Sequence, residues 1–263
     1  MVLAGAALCV VMVVLGLFSI RSWKLHAERG RALDRIARAN GFSYSYEAGG
    51  EVVRVPFDLF RQGDGQGAEH LLQGRAPDGA PVRVFDYFFY DEQEREGVAL
   101  GGLLRDDVEG LKVQARSYHW FTCCVTELDA IYPPTTIERK GTLLRALSAV
   151  GVRSMEFESE AFNRMFLVSS EDSRFLQHFM TPSMMDLLLG TEGKVRFELR
   201  GRWLLAALDR SDVTPDLMLS LVGLTTELRS RIPNVVRGMT TQLPDDPASP
   251  LPYLRLPDDT TPM

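Results

Sequence analysis

The chain has 263 residues, of which 45% are hydrophobic and 24% are charged, and its formal net charge is −6. This length can supply one large buried core or two small ones, and the apolar content excludes a wholly disordered chain. Three cysteines in a chain of this length exclude a disulfide-stapled mini-protein.

The first predicted element is an apolar segment, Val2–Ile20, which has no charged residue over nineteen positions. A helix of that length would be about 28 Å long, close to the hydrocarbon thickness of a bilayer. We therefore predict a transmembrane helix over residues 1–20. A secretory signal peptide fits less well, because no Lys or Arg precedes the run and no small-x-small cleavage site follows it. Lipidation of Cys9 is disfavoured because Leu8, which is not a small residue, precedes it.

A basic juxtamembrane helix is predicted next, over residues 21–40. From Arg21 to Arg38 the chain has six Lys or Arg residues and two acidic ones. The positive-inside rule keeps such a cluster in the cytoplasm. We therefore expect a single-pass plasma-membrane protein with its N-terminus outside and its C-terminal domain in the cytoplasm. Arg21, Trp23 and Lys24 are the predicted membrane-interface residues, and the lipid bilayer is the expected partner.

An α+β domain is predicted over residues 41–240, either as one body or as two similar-sized halves. We expect a mainly antiparallel sheet with flanking helices. Its first hairpin joins Leu71–Arg75 to Val82–Tyr90 through the turn residues Pro77, Asp78 and Gly79. The next predicted elements are an exposed loop (91–110), two strands (115–128 and 135–139) and a short helix (143–150).

Cap and turn residues predict the second half of the domain. Short strands are expected at 155–158 and 165–169, and Ser169 with Asp172 resembles a capping box. Thr181-Pro182 and Thr214-Pro215 each predict an N-cap followed by proline at the first helical position.

The last elements are predicted from a glycine and from a leucine pattern. A hairpin is expected over 194–209, turning at Gly201, and a helix after Pro215 has a predicted buried stripe of Leu217, Leu221, Leu224 and Leu228. Residues 241–263 form a proline-rich tail that we expect to be disordered.

The adjacent cysteines Cys123 and Cys124 lie in a predicted strand, where successive side chains point to opposite faces. Because neighbouring cysteines rarely reach disulfide geometry, we interpret them as strand residues in a reducing compartment. A redox-active vicinal pair is the alternative.

Charge argues against nucleic acid as a partner. Without the basic flank and the tail, 22 basic and 29 acidic residues remain, and no basic run follows Arg38. A phosphate-binding surface needs a local basic excess, so we expect no nucleic-acid binding.

Catalytic and metal-binding motifs are scarce. The four histidines show no metal-ligand spacing, and no phosphate loop or nucleophile elbow is present. We therefore predict no cofactor, no metal and no assigned catalytic residue. The best enzymatic pattern is Glu138-Arg139-Lys140, which with Asp129 would resemble a metal-dependent nuclease.

Two stretches carry a family resemblance. One runs from Gly74 to Tyr87, and the other comprises Glu158-Ser159-x-x-Phe162-Asn163 followed by Thr181-Pro182-x-x-Met185. Over about Leu71 to Asp209 the chain resembles a family of uncharacterised bacterial membrane-anchored proteins with a domain of unknown function. The resemblance implies a membrane address and supplies no catalytic residue.

The motif residues also allow a polar site made of Glu158, Asn163 and Arg164, although local structural roles explain them as well. We expect a non-enzymatic membrane protein whose cytoplasmic domain binds another protein or the membrane surface. The alternative is a membrane-associated enzyme of unknown class, with hydrolysis as one candidate reaction.

Overall fold

The computed structural model describes residues 28–96, 112–141, 155–209 and 214–239. They form a six-stranded sheet with helices packed against it. The strands are β1 (Ser43–Glu47), β2 (Gly65–Arg75), β3 (Pro81–Glu96), β4 (Lys112–Arg139), β5 (Phe166–Ser170) and β6 (Val195–Asp209). The helices are α1 (28–39), α2 (Glu160–Met165), α3 (Ser173–Phe179), α4 (Pro182–Leu189), α5 (Pro215–Ser230) and α6 (Asn234–Met239), with a 3₁₀ turn at Leu59–Arg61.

The strand pairings are antiparallel, and β4 is the central element of the sheet. Strands β1 to β4 are neighbours in chain order, whereas β5 and β6 both pair with β4. The predicted first hairpin is confirmed, since β2 and β3 pair from Arg75 with Pro81 onward. An antiparallel sheet with flanking helices, the α+β part of the predicted fold class, is therefore confirmed.

The membrane-spanning part of the predicted fold class needs correction. Among the residues that the structure describes, no helix combines the length and the apolar character needed to cross a membrane. The predicted transmembrane segment Val2–Ile20 and the interface residues Arg21, Trp23 and Lys24 lie outside the described residues. The fold class that the structure supports is an antiparallel sheet with flanking helices.

Different parts of the chain cover the two faces of the sheet. Val84 and Cys124 point to what we call the helical face, whose core includes residues of α1 and of α2 to α6. Phe85 and Cys123 point to the opposite face, which is covered by residues 48–61, here called the strap. The strap contributes five large or branched core residues, namely Val52, Val55, Phe57, Leu59 and Phe60.

The adjacent cysteines are free thiols on opposite faces, as the strand pattern predicts. Burial raises the pKa of Cys124 to about 12, and it raises the pKa of Cys123 well above its ordinary value. Both groups are therefore uncharged, weakly reactive thiols at neutral pH.

Two strands continue through positions where the sequence predicts a break. Strand β4 runs through Pro133 and Pro134, and β6 runs through Gly201, which the sequence marks as a hairpin turn. The β4–β6 register shifts on both sides of Tyr132, which pairs with Gly201 at φ +59°. The prolines and the glycine therefore mark irregularities in one long pair of strands, and the predicted hairpin at 194–209 is wrong.

The helix caps are confirmed at two positions and wrong at a third. Thr181 and Thr214 accept hydrogen bonds from the backbone N–H groups of the third residue after each of them, so they cap α4 and α5 as predicted. Asp172 caps α3 through the N–H of Phe175, so the predicted box with Ser169 is wrong.

Three other local predictions differ from the structure. Residues 155–158 are not a strand. In α5 the buried residues are Met218, Leu221, Val222, Thr225 and Leu228, while Leu217 is 38% exposed. Residues 91–96 continue β3 instead of starting a loop. The rest of the predicted loop, the whole helix predicted at 143–150 and the tail lie outside the described residues.

Candidate functional site

The three residues of the predicted polar site have separate local roles. The Asn163 amide binds the main chain of Phe157 in both directions, through bonds of 2.9 Å and 2.6 Å. Arg164 lies 3.9 Å from Glu160 on the surface of α2, and Glu158 is exposed. Asn163 therefore stabilises the turn before α2, and a polar site made of the three residues stays a prediction.

The structure also separates the residues of the nuclease-like pattern. Glu138 is 2% exposed and forms an ion pair with Arg196 at 2.8 Å. Asp129 instead accepts a hydrogen bond from Tyr132 and pairs with Arg237 at 2.7 Å. Because the two carboxylates have different partners, they do not form the shared metal site that this pattern would need.

The partners of Glu138 belong to a buried ionic cluster under the strap. Glu198, which is fully buried, accepts hydrogen bonds from the backbone N–H groups of Asp58 (2.6 Å) and Leu59 (3.1 Å). Arg196 joins Glu198 to Glu138, with 2.8 Å bonds to each. Burial raises the pKa of Glu138, Arg196 opposes this effect, and the charges of Glu198 and Asp58 add to it. The cluster fastens the strap to β4 and β6.

A second buried ion pair fixes α1 to the sheet. Arg29 donates two hydrogen bonds to Asp86, at 2.9 Å and 3.1 Å, in the bidentate geometry that guanidinium groups favour. Asp86 is fully buried and also accepts a 2.7 Å bond from Thr122. The pair joins residues 57 positions apart, so it places the start of α1 directly over β3.

His70 lies beside this ion pair in an irregular part of β2. Its φ is +56°, and the β2–β3 register shifts between Glu69 and Leu72. The side chain is fully buried, and its Nδ1 lies 2.8 Å from the hydroxyl of Tyr44. A positive φ is strained for a residue with a side chain. It persists only where contacts with the surrounding residues hold the backbone in that conformation.

Within the described residues, Glu69, His70 and Asp86 are brought close enough to be considered as metal ligands. One potential ligand atom of each lies within 4.8 Å of the others. The guanidinium of Arg29, however, is bound to the Asp86 carboxylate. A cation would therefore meet a positive charge at this carboxylate, and we assign the cluster to the docking of α1.

The β3–β4 ribbon carries a surface of four aromatic side chains on the helical side of the sheet. We call Phe88, Tyr90, Tyr118 and Trp120 the aromatic face. Their rings form a continuous row, with centroids 4.7 Å apart for Phe88 and Trp120 and 5.5 Å apart for Tyr90 and Tyr118. Tyr118 is 48% exposed, and the other three are partly exposed. The guanidinium of Arg116 lies 4.5 Å from the Tyr90 ring centroid.

Glycines on β2 hold these rings close to the sheet. Gly65 pairs with Tyr90, and Gly67 pairs with Phe88. A Cβ atom placed on Gly67 would lie 2.5 Å from Cζ of Phe88. The rings of Tyr90 and Phe88 therefore lie close to glycine backbone, and both rings remain partly exposed.

The outward side of α1 carries a row of exposed arginines. Arg31, Arg35 and Arg38 are exposed, whereas Leu33 and Ala37 are fully buried on the side that meets the sheet. Arg38 also forms an ion pair with Asp34, at 2.9 Å. The row therefore presents positive charge away from the body of an acidic protein.

The aromatic face has no counterpart among the predicted sites. Aromatic residues on both faces of β3 are typical of a strand that is covered on each side, so they do not by themselves indicate an exposed surface. The missing signal was the pair Gly65 and Gly67, which lie where the rings of the neighbouring strand need space.

Comparisons with known proteins find distant similarity to solved structures. No protein-family model matches the chain, and a search of curated proteins finds no match either. Among solved structures, the chain is similar to the crystal structure of the mycobacterial trehalose monomycolate transport factor A, TtfA. The TM-score is 0.49 and the identity 15%, over 78% of this chain and 96% of that chain. A similarity this low assigns neither a family nor a function to this chain.

Proposed function

We propose that this chain is a non-catalytic interaction protein. Its α+β domain lies at the cytoplasmic surface of the plasma membrane and binds anionic lipid there. The observation that carries the proposal is the exposed arginine row of α1, formed by Arg31, Arg35 and Arg38. Their side chains point away from the sheet, so a flat anionic surface can approach all three together.

Charge distribution supports this orientation. Residues 21–38 contain six basic and two acidic residues in a chain whose net charge is −6. The rest of the protein is therefore strongly acidic and is repelled by an anionic leaflet. Each basic residue near such a surface contributes about 1 kcal/mol. The free thiols Cys123 and Cys124 are consistent with a reducing compartment.

The enzymatic alternative receives less support. The buried carboxylates Glu138 and Glu198 are both bound to Arg196, and Glu198 also holds the strap main chain. These contacts explain the two buried acids as structural groups, so we favour the interaction role.

Vesicle binding of the full-length protein tests the proposal. The quantity to measure is the ratio of its affinities for anionic phosphatidylglycerol and for neutral phosphatidylcholine vesicles. A triple variant, Arg31→Gln, Arg35→Gln and Arg38→Gln, removes about 3 kcal/mol of attraction, so the ratio should fall about a hundredfold.

The matched control removes three exposed arginines elsewhere, by Arg61→Gln, Arg164→Gln and Arg174→Gln. It makes the same change in net charge and should leave the ratio nearly unchanged. Equal losses in the two triple variants would show that net charge, and not the face of α1, determines lipid preference.

A further inference from the structure

We propose that Glu138 is a pH switch for the strap. While Glu138 holds its proton, the strap stays on the sheet, in the closed position that the structure shows. Loss of the proton shifts the balance towards an open position, in which residues 58 and 59 have left Glu198. The switch lies on the face of the sheet opposite α1, so this inference does not depend on the lipid proposal.

The strap is attached to the sheet through the main chain of its residues 58 and 59. The N–H groups of Asp58 and Leu59 donate to the carboxylate of Glu198, at 2.6 Å and 3.1 Å. The carbonyl of Leu59 accepts a 3.2 Å bond from the hydroxyl of Tyr87. The next main-chain bond, from Arg61 to Asp58, closes only a local turn. The carboxylate of Glu198 is therefore the main anchor of the strap.

The charges around this anchor balance only while Glu138 is neutral. Glu198 forms an ion pair with Arg196, and Asp58 forms one with Arg200. Glu138 has no arginine of its own, because it shares Arg196 with Glu198. The charged groups that act on Glu138 are Arg196 and Glu198 of β6 and Asp58 of the strap. An ionised Glu138 thus places three carboxylates against two guanidinium groups.

The two carboxyl oxygens of Glu138 have different surroundings. Oε2 accepts a 2.8 Å bond from Arg196, whereas Oε1 is buried without a hydrogen-bond partner among the described residues. A buried carboxylate is costly unless donors satisfy its oxygens. Opening the strap admits water, which supplies donors to Oε1 and screens the excess negative charge. Ionisation of Glu138 and opening of the strap therefore favour each other.

This coupling has a definite direction with pH. Burial raises the pKa of Glu138 in the closed state, whereas a hydrated carboxyl group in the open state titrates near its ordinary pKa of 4.5. The closed state therefore binds the proton more tightly, so closure is most favourable at low pH and weakens as the pH rises through the raised pKa. Between the two pKa values, the ratio of open to closed strap should rise by up to about tenfold per pH unit.

Cys123 reports on the position of the strap. Its thiol is fully buried among the residues that the strap covers, whereas Cys124 is buried on the helical face. A thiol reagent that reaches Cys123 but not Cys124 has therefore entered through an opening of the strap. The two neighbouring thiols thus distinguish this local opening from unfolding of the whole domain.

Thiol labelling of the full-length protein tests the switch. N-ethylmaleimide reacts with the folded protein between pH 4.5 and about pH 8, and tandem mass spectrometry separates the two adjacent cysteines. Each rate is divided by the rate of the urea-unfolded protein at the same pH, which removes the titration of the thiol itself. We expect the corrected rate at Cys123 to rise at least about threefold over this range, and the rate at Cys124 to stay constant.

Glu138→Gln keeps the shape of the side chain but removes its titration, so the corrected rate at Cys123 should become independent of pH. The matched control is Glu156→Gln, which makes the same charge change at an exposed position and should keep the rise. Amide hydrogen exchange of residues 52–60 in the unlabelled protein provides a second measurement. After correction for the intrinsic exchange rate, it should show the same rise with pH.

Three results would overturn the proposal. The first is a corrected Cys123 rate, or a strap exchange rate, that does not change with pH. The second is an equal rise at Cys124, because it would assign the opening to the whole domain. The third is a rise that persists in Glu138→Gln. None of these results would alter the vesicle-affinity ratio that tests the lipid proposal.

Discussion

Removing the charge of Arg29 while leaving Asp86 in place tests how α1 is held on the sheet. Asp86 is fully buried, and Arg29 supplies two of its hydrogen bonds. Breaking a buried ion pair by deleting one partner costs about 3–5 kcal/mol, because an uncompensated charge stays behind. The Arg29 side chain is 16% exposed. We therefore expect Arg29→Met to lower the free energy of unfolding by about 3 kcal/mol, near the lower end of this range.

The second substitution removes the buried carboxylate charge of Asp86 that Arg29→Met leaves uncompensated. Asp86→Asn in the Arg29→Met background keeps a polar group for Thr122 but no buried carboxylate, so the double variant should regain about half of the loss or more. Arg38→Met is the matched control, since this arginine on the same helix is 77% exposed and should cost less than about 0.5 kcal/mol.

Urea unfolding followed by circular dichroism measures all four free energies of unfolding. A cost below about 1 kcal/mol for Arg29→Met would refute the reasoning, as would a double variant no more stable than the single one.

Three further substitutions test other parts of the fold. Burial raises the pKa of Glu138, so the folded state binds the proton of this carboxyl group more tightly than the unfolded state does. The free energy of unfolding therefore falls as the pH rises from the ordinary pKa of 4.5 through the raised pKa. Glu138→Gln should flatten that fall in urea titrations across this range, and an unchanged slope would contradict the assignment. Gly67→Ala forces a Cβ against Phe88 and should cost about 1–3 kcal/mol by urea unfolding, whereas Gly50→Ala has open space and should cost less than 1 kcal/mol. Thr181→Ala removes the cap of α4 and should lower the free energy of unfolding by about 1 kcal/mol, while Thr181→Ser should keep most of it.

Local signals in the sequence predict part of this fold well. The turn at Pro77, Asp78 and Gly79 identifies the first hairpin, and threonine followed by proline at 181 and 214 identifies two helix starts. These features depend on a few neighbouring residues, each with a preferred backbone conformation.

Features that depend on partners far along the chain were not predicted. Pro133, Pro134 and Gly201 are ordinary turn signals, and only the pairing of Tyr132 with Gly201 shows that β4 and β6 continue through them. The role of Asn163 was also missed for this reason, since its amide bonds to the main chain of Phe157.

The buried ionic cluster is equally unpredictable from the sequence. Glu138 stands out there because of its neighbours Arg139 and Lys140, but its partner Arg196 lies 58 residues away. Sequence spacing alone carries no information about such a pair, because the register of β4 with β6 brings it together.

The bond from Glu198 to the strap has a consequence for the order of folding during synthesis. The main-chain N–H of Leu59 donates to the carboxylate of Glu198, which lies 139 residues later in the chain. Until β6 has left the ribosome, the apolar strap residues have no complete surface to cover, and such late long-range closure slows folding and leaves hydrophobic groups exposed to aggregation. We therefore expect newly made chains that end before β6 to require chaperones, with the strap as the segment that chaperones bind.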